Sequence, residues 1–185
     1  MATIDLIVLG MLKKESLSAY DIQKLVEYRN ISKWVKISTP SIYKKVLQLE
    51  KKGLISSHTE KDGKMPEKAV YTLTDAGEEE FEKLMLEISC KPINIFLDFN
   101  AVIVNLESMT KESQKECLDN IENNMNVLKT YLEENIALKE NDPDIPVTGK
   151  AVLHQQFLLV QAIEKWIASL KKELYQLDMS QLQTS

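Results

Sequence analysis

The run Ser38-Thr39-Pro40-Ser41-Ile42-Tyr43-Lys44-Lys45-Val46-Leu47-Gln48-Leu49-Glu50-Lys51-Lys52-Gly53-Leu54-Ile55 decides how this 185-residue chain is read. A Ser or Thr followed by Pro40 marks a helix start, because a proline at the first helical position gives up an N–H that no helical carbonyl would accept. Ile42, Val46 and Leu49 recur at helical spacing and mark a buried face. Ser41, Lys44, Lys45 and Gln48 fall mostly on the other side. Lys51 and Lys52 lie in the last turn, where the helix dipole favours cations, and Gly53 follows as the stop. These features predict a helix from Pro40 to about Lys52.

Upstream, Thr3 to Lys14 carries Ile4, Ile7, Val8, Met11 and Leu12 at helical spacing, and Leu6 and Leu9 make it apolar over most of its circumference. A second surface must therefore cover it. Ser18 is a candidate N-cap with Asp21 three residues on, opening a helix that carries Ile22, Leu25 and Val26 and ends near Arg29. Residues 30–38 form a connector containing Trp34. Downstream, Ile55 to Thr59 reads as a short strand, Glu60 to Lys68 as a polar loop around Asp62-Gly63, and Ala69 to Leu73 as a second strand. The order helix, helix, helix, strand, loop, strand is that of a winged helix-turn-helix.

From Asp75 the pattern is helical again to about Ser89. After Lys91-Pro92, Ile93 to Ser108 reads as an intensely apolar helix, Lys111 to about Leu138 as a long acidic one, Asn141 to Gly149 as a loop, and Lys150 to about Leu177 as a final long helix. In that last helix Leu159, Ile163, Trp166, Leu170, Leu174 and Leu177 alternate spacings of three and four, the pattern of a helix–helix seam. One small helical domain does not readily absorb this seam together with the all-round apolar segments at 4–12 and 93–106, which points to a dimer. The expected fold is mainly α with a small β-wing: an N-terminal winged helix-turn-helix domain, residues 1–88, and a C-terminal α-helical dimerisation domain, residues 89–185.

Charge separates the same two halves. The net charge is −5, but residues 1–74 hold 13 Lys and Arg against 8 Asp and Glu, whereas residues 75–185 hold 10 against 20. A basic head on an acidic tail fits a polyanion partner for the head alone. Arg29 is the only arginine, so the positive charge is mostly that of lysine, a point charge suited to phosphate.

Three stretches together resemble the PadR-like family of transcriptional regulators. The opening Ile7-Val8-Leu9-Gly10-(x)7-Leu17-Ser18-Ala19-Tyr20-Asp21-Ile22 is similar to that family's first two helices. The run Ser41-Ile42-Tyr43-(x)5-Leu49-Glu50-(x)2-Gly53-Leu54-Ile55 resembles its recognition helix. Gly63-Lys64-Met65-Pro66-Glu67-Lys68-Ala69-Val70-Tyr71-Thr72-Leu73-Thr74-Asp75-Ala76-Gly77 resembles its basic wing and the helix start beyond it. The resemblance covers about residues 3–80, and Leu47 departs from it, standing where relatives often carry a basic residue. It implies a homodimeric repressor that binds double-stranded DNA, with the C-terminal helices supplying most of the dimer interface. It also implies release by a small aromatic or drug-like effector.

The residues support the DNA half of that expectation by their own chemistry. A face of short and medium polar side chains fits a major groove about 12 Å wide, where Gln48 can bond an adenine edge bidentately and Lys44 or Lys45 can reach guanine or phosphate. Thr39 and Ser41, near a helix N-terminus, can meet a phosphate. Tyr43 either bonds a phosphate or packs under the helix. Lys61, Lys64 and Lys68 make a basic wing. For an effector the candidates are Trp34, His154 and Trp166, with core or seam packing the competing reading of Trp166 and a satisfied helix histidine that of His154. Tyr20, Phe96, Phe99 and Phe157 read as core.

The sequence has no HExxH, no Gly-rich phosphate loop, no GxSxG and no Cys–His pairing, so no enzyme is expected. Cys90 and Cys117 stand far apart with no histidine at ligand spacing, which predicts no metal and no cofactor, and two free thiols fit a reducing cytoplasm. Neither a membrane span nor a secretory signal is expected. The competing function is a winged-helix protein-interaction module without specific DNA binding.

Overall fold

A computed structural model describes residues 2–35, 40–61 and 67–182, with side chains to residue 174 except those of Pro40 and Ser41. It is mostly helical, with seven α-helices and one three-stranded antiparallel sheet among the described residues. The chain divides into two compact units, Met1–Asn94 and Ile95–Ser185.

The first unit is built around α1 (Ala2–Leu12). Its Ile4, Val8, Leu9, Met11 and Leu12 are buried, and it packs against α3 (Pro40–Lys51), α4 (Asp75–Ser89) and the sheet. This corrects the expectation that a partner chain covers the second apolar face of α1. The same chain covers it, because α4 lies along it with Phe81 and Leu84 in the same core. The helices approach closely where Gly10 leaves room: a Cβ there would stand 3.1 Å from the Phe81 ring.

Between α1 and α3 runs α2 (Ala19–Tyr28), started by a full capping box: the Asp21 N–H donates to Ser18 Oγ, and the Ser18 N–H donates back to the Asp21 carboxylate. At the other end of α3, Gly53 adopts φ +72°, and the Leu54 N–H reaches the Leu49 carbonyl while the Gly53 N–H reaches that of Glu50. Such a reversal needs a left-handed residue, which glycine adopts without steric cost.

The sheet has one strand more than the sequence predicts. β1 (Leu17–Ser18) pairs with β3 (Lys68–Leu73), whose other edge pairs with β2 (Ile55–Glu60), in the order β1-β3-β2. The register runs from Ile55 opposite Leu73 to Glu60 opposite Lys68, and Leu17 faces Tyr71. Two residues have no period to read, so β1 exists only as an edge completed by β3.

In the second unit, α6 (Lys111–Lys139) and α7 (Val147–Leu182) lie antiparallel. Lys129 Nζ meets Glu164 at 2.9 Å, and Lys171 Nζ meets Asp119 at 2.7 Å and Glu122 at 2.6 Å, so charged rungs at two levels fix which turns face each other. Ile121, Met125 and Leu132 of α6 pack with Val160 and Ile167 of α7, flanked by Leu153 and Phe157. The intramolecular seam of α7 is thus offset from the predicted one. Of the predicted series Ile163 packs against this core, while Leu159 and Trp166 stay exposed; the side chain of Leu177 lies outside the described residues.

The predicted helix from Ile93 to Ser108 is corrected as well. Only α5 (Asn100–Val104) and a 3-10 turn at Leu106–Ser108 form there. Pro92 denies a donor at the start, the β-branched Ile93 and Ile95 are stiff, and Asn94 and Asp98 favour local side-chain bonds over the helix. Ile93 and Phe96 are almost wholly exposed, so Phe96 is not core; Phe99 and Phe157 are partly buried in the second-unit core.

Candidate nucleic-acid interface

Helix α3 is held by its apolar stripe. Ile42, Val46 and Leu49 are at most 1% exposed, which turns Tyr43, Lys44, Leu47 and Gln48 to solvent on the opposite side. Tyr43 is 62% exposed, so the packing alternative for it falls and its hydroxyl is free to meet a phosphate. The exposed face is less polar than the sequence suggests, because Leu47 stands within it, 45% exposed.

Lys45 does not belong to that face, and here the expectation is corrected. Its side chain is buried and its Nζ lies 2.7 Å from Asp5 Oδ1 of α1. The physical reason is register. Lys45 completes the stripe Ile42, Lys45, Val46, Leu49 at spacings of three, one and three, and Asp5 completes Asp5, Val8, Leu9, Leu12 in the same way. Two opposite charges, each at a core position of an otherwise apolar stripe, were the signal in the sequence.

The wing is described at its base. Lys61 and Lys68 are exposed. Lys68 Nζ lies 3.6 Å from Asp21 Oδ2, which accepts a 2.6 Å hydrogen bond from Ser18 Oγ. That hydroxyl chiefly holds the Asp21 carboxyl below its ordinary value, outweighing the opposing effect of burial, with smaller help from the Ser18 backbone N–H and the charge of Lys68. Lys68 therefore ties β3 to the start of α2 while remaining half in solvent. Thr39 and Lys64 lie outside the described residues, as does the side chain of Ser41.

Sequence reasoning missed a neighbouring feature. Tyr20 is 62% exposed rather than core, and Lys24 Nζ stands 4.6 Å from the centre of its ring. The pair is spaced four residues apart on α2, opposite Ile22 and Val26, so a helical plot of that segment carried the signal.

The three effector candidates fall in both units. Trp34 belongs to the first unit and is 38% exposed, and His154 stands exposed on α7. Trp166 stacks on Phe99, ring centres 5.9 Å apart, and both line an open apolar cavity of about 440 Å³ with Ile95, Leu97, Met125 and Ile163. No group of acidic, cysteine or histidine side chains among the described residues is arranged to hold a metal ion, and no helix among them is long and apolar enough to cross a membrane.

Three helices closed by a two-stranded wing with a short third strand define a winged helix-turn-helix unit, followed here by an antiparallel helical unit. Residues 8–83 match the transcriptional regulator PadR-like family. The fold is similar to solved structures: Bacillus subtilis PadR in complex with operator DNA gives a TM-score of 0.78 at 21% identity, covering 91% of this chain and 97% of that one. The same protein in complex with p-coumaric acid gives 0.76 at 19%, covering 90% and 95%. A PadR-like transcriptional regulator from Bacillus cereus gives 0.71 at 22%, covering 96% and 99%. Comparison with curated proteins yields no significant match.

Proposed function

We propose that the protein is a sequence-specific DNA-binding transcriptional regulator, a homodimeric repressor that a small molecule releases from its operator. The observation that carries this reading is the solvent-facing side of α3, where Tyr43, Lys44 and Gln48 stand together beside a wing bearing Lys61 and Lys68. Gln48 reads a base edge, Lys44 and Tyr43 hold phosphates, and Thr39, Ser41 and Lys64 add contacts at the helix start and wing tip. The fold shared with a PadR bound to operator DNA supports the assignment.

Residues 1–88 are the DNA-binding part and residues 89–185 the dimerisation part. Support for the dimer comes from the apolar surface that the second unit leaves open, including Val104, Leu158, Leu159 and Trp166. Two recognition helices then address half-sites about one helical turn apart on a near-palindromic operator. The fold shared with a PadR bound to p-coumaric acid supports an effector, and the Phe99–Trp166 stack is the place in this chain suited to a flat aromatic one. Binding that favours a spacing of the two helices other than the DNA-bound one lowers operator affinity by linkage. Such a protein works in the cytoplasm and performs no catalysis.

Fluorescence anisotropy with duplexes from the protein's own upstream region tests this, against a scrambled duplex and over a range of salt. A specific complex that weakens steeply with salt is expected. Equal, weak binding to both duplexes would favour a winged helix used for protein contacts.

A further inference from the structure

We infer that Asp5 and Lys45 are positioning residues for DNA recognition: their buried ion pair sets the rotation and height of α3 on α1. The inference rests on the reading of α3 as the recognition helix.

The pair is out of place by energetic reasoning alone. The side chains of Lys45 and Asp5 are only 9% and 14% exposed. Asp5 Oδ1 is removed from solvent, and among the described residues it takes no hydrogen bond of good geometry, so the Lys45 ammonium at 2.7 Å is what compensates its charge. Taking two ions out of water costs more than such a contact readily returns, and an apolar pair of similar size commonly serves stability as well or better. What an apolar pair does not supply is a penalty specific to parting one residue from its one partner. Ile42, Val46 and Leu49 make only apolar contacts, and cores of that kind lose a unique arrangement before they lose stability. Parting the two ions in a dry site leaves each charge uncompensated, so a turn of α3 about its axis, or a slide along α1, that separates Lys45 from Asp5 is resisted.

The consequence reaches the opposite face through helix geometry. Lys45 is flanked in sequence by Lys44 and stands three residues before Gln48. A rigid helix anchored at Lys45 therefore fixes where the Lys44 and Gln48 side chains emerge. Bidentate contact with a base edge depends on that placement, and contacts with phosphates depend on it less. Loss of the anchor is thus expected to remove discrimination between duplexes more than it removes general affinity. The same α1 packs on α4, so the anchor links the recognition helix to a helix that leads toward the second unit.

The test compares the full-length protein with the double variant Asp5→Leu/Lys45→Met, which removes both charges and leaves none unpaired, and with Asp5→Asn, which keeps the shape of the site. Three readings are taken: thermal midpoint, hydrogen exchange of the α3 amides, and the affinity ratio for operator over scrambled duplex. The double variant is expected to keep a cooperative transition near that of the parent, to exchange its α3 amides at least tenfold faster, and to lose tenfold or more of the affinity ratio while its binding to scrambled duplex changes less than threefold. Asp5→Asn moves in the same direction with a lower thermal midpoint, because it leaves the Lys45 charge unpaired, and the uncharged pair Asp5→Asn/Lys45→Gln serves should the double variant not fold. An unchanged ratio in a folded variant overturns the inference. Should the parent itself show no preference for any duplex, it is the DNA-binding reading that fails. The exchange data then decide the anchor: faster exchange in the variants upholds it, and parental exchange overturns it.

Discussion

Gly77, in the first turn of α4, lies so close to the Leu54 carbonyl that a Cβ on it would stand 2.0 Å from that oxygen and 2.7 Å from Leu73 Cδ1. The corner is tied three further ways: Thr74 Oγ1 donates to the Gly53 carbonyl at 2.8 Å and accepts from the Gly77 N–H at 3.1 Å, and the Thr74 N–H reaches the Leu54 carbonyl at 3.2 Å. The end of α3 and the start of α4 thus share one joint with backbone on both sides. Leu73 can swing its side chain aside, but the Leu54 carbonyl is backbone and yields to an added methyl group only if the corner itself moves.

Gly77→Ala is therefore expected to destabilise the first unit by about 3 kcal/mol, at the upper end of overpacking costs. The thermal midpoint of that unit should fall by about 12–24 °C. Calorimetry of the variant checks this, and a shift below about 2 °C would mean that α4 starts further from Leu54.

Ser18 carries two duties, the cap of α2 and the bond that keeps Asp21 ionised beside Lys68. Ser18→Ala should cost about 1 kcal/mol through the lost cap. It should also change the acid limb of stability. The Asp21 carboxyl is held below its ordinary 3.8, so its contribution is full above 3.8 and is lost as the pH falls through the lower folded value. In Ser18→Ala most of that lowering goes, and the pH dependence below 3.8 should flatten. Urea unfolding at a series of pH values measures both effects, and parallel curves for parent and variant would contradict the second.

How far the sequence was legible follows from what kind of signal each element has. The α3 helix and its stop were readable because Pro40, the Ile42–Val46–Leu49 stripe and Gly53 are local, and the structure has the helix at Pro40–Lys51. The apolar run at 93–108 misled because hydrophobicity alone has no period, and Pro92, Asn94 and Asp98 weigh against a helix at its start. The α7 seam was read one stripe away from the intramolecular one, since that helix carries apolar residues on two adjacent stripes and spacing does not say which one the neighbouring helix takes. At the candidate interface, Tyr43, Lys44 and Gln48 were legible as the face opposite the stripe. Lys45 was misread because charge was weighed above register, and the matching Asp5 that explains it lies 40 residues earlier in the sequence. Long-range pairing of that kind has no local signature.

On the exposed face of α3, Lys44 and Gln48 are expected to fail in different ways. Lys44→Ala removes a phosphate contact and should weaken all duplexes alike, lowering the slope of log affinity against log salt by about 1. Gln48→Ala should leave that slope unchanged and cost about 1–3 kcal/mol on the operator alone, through lost base discrimination. Anisotropy titrations at four salt concentrations separate the two. An equal loss of affinity for operator and scrambled duplex in Gln48→Ala would mean that Gln48 touches the backbone rather than a base.

Lys171 joins α7 to two carboxylates of α6, and Lys115, four residues before Asp119 on the same helix, adds a third contact to the cluster at 2.8 Å. The hydrogen bonds from Lys115 and then Lys171 lower the Asp119 carboxyl to about 2, against a smaller opposing effect of burial. A depressed carboxyl stabilises the folded form above its unfolded value of 3.8, and that contribution drains away between 3.8 and about 2 as the pH falls. Lys171→Met removes the rung across the seam and leaves the one from Lys115. The Asp119 carboxyl should then titrate closer to its ordinary value, and the second unit should lose less stability over that acid window than the parent. Carboxyl-detected NMR follows the titration of Asp119 directly. If its midpoint stays at about 2 in the variant, Lys115 alone holds the charge, and the pairing of α6 with α7 does not depend on this rung.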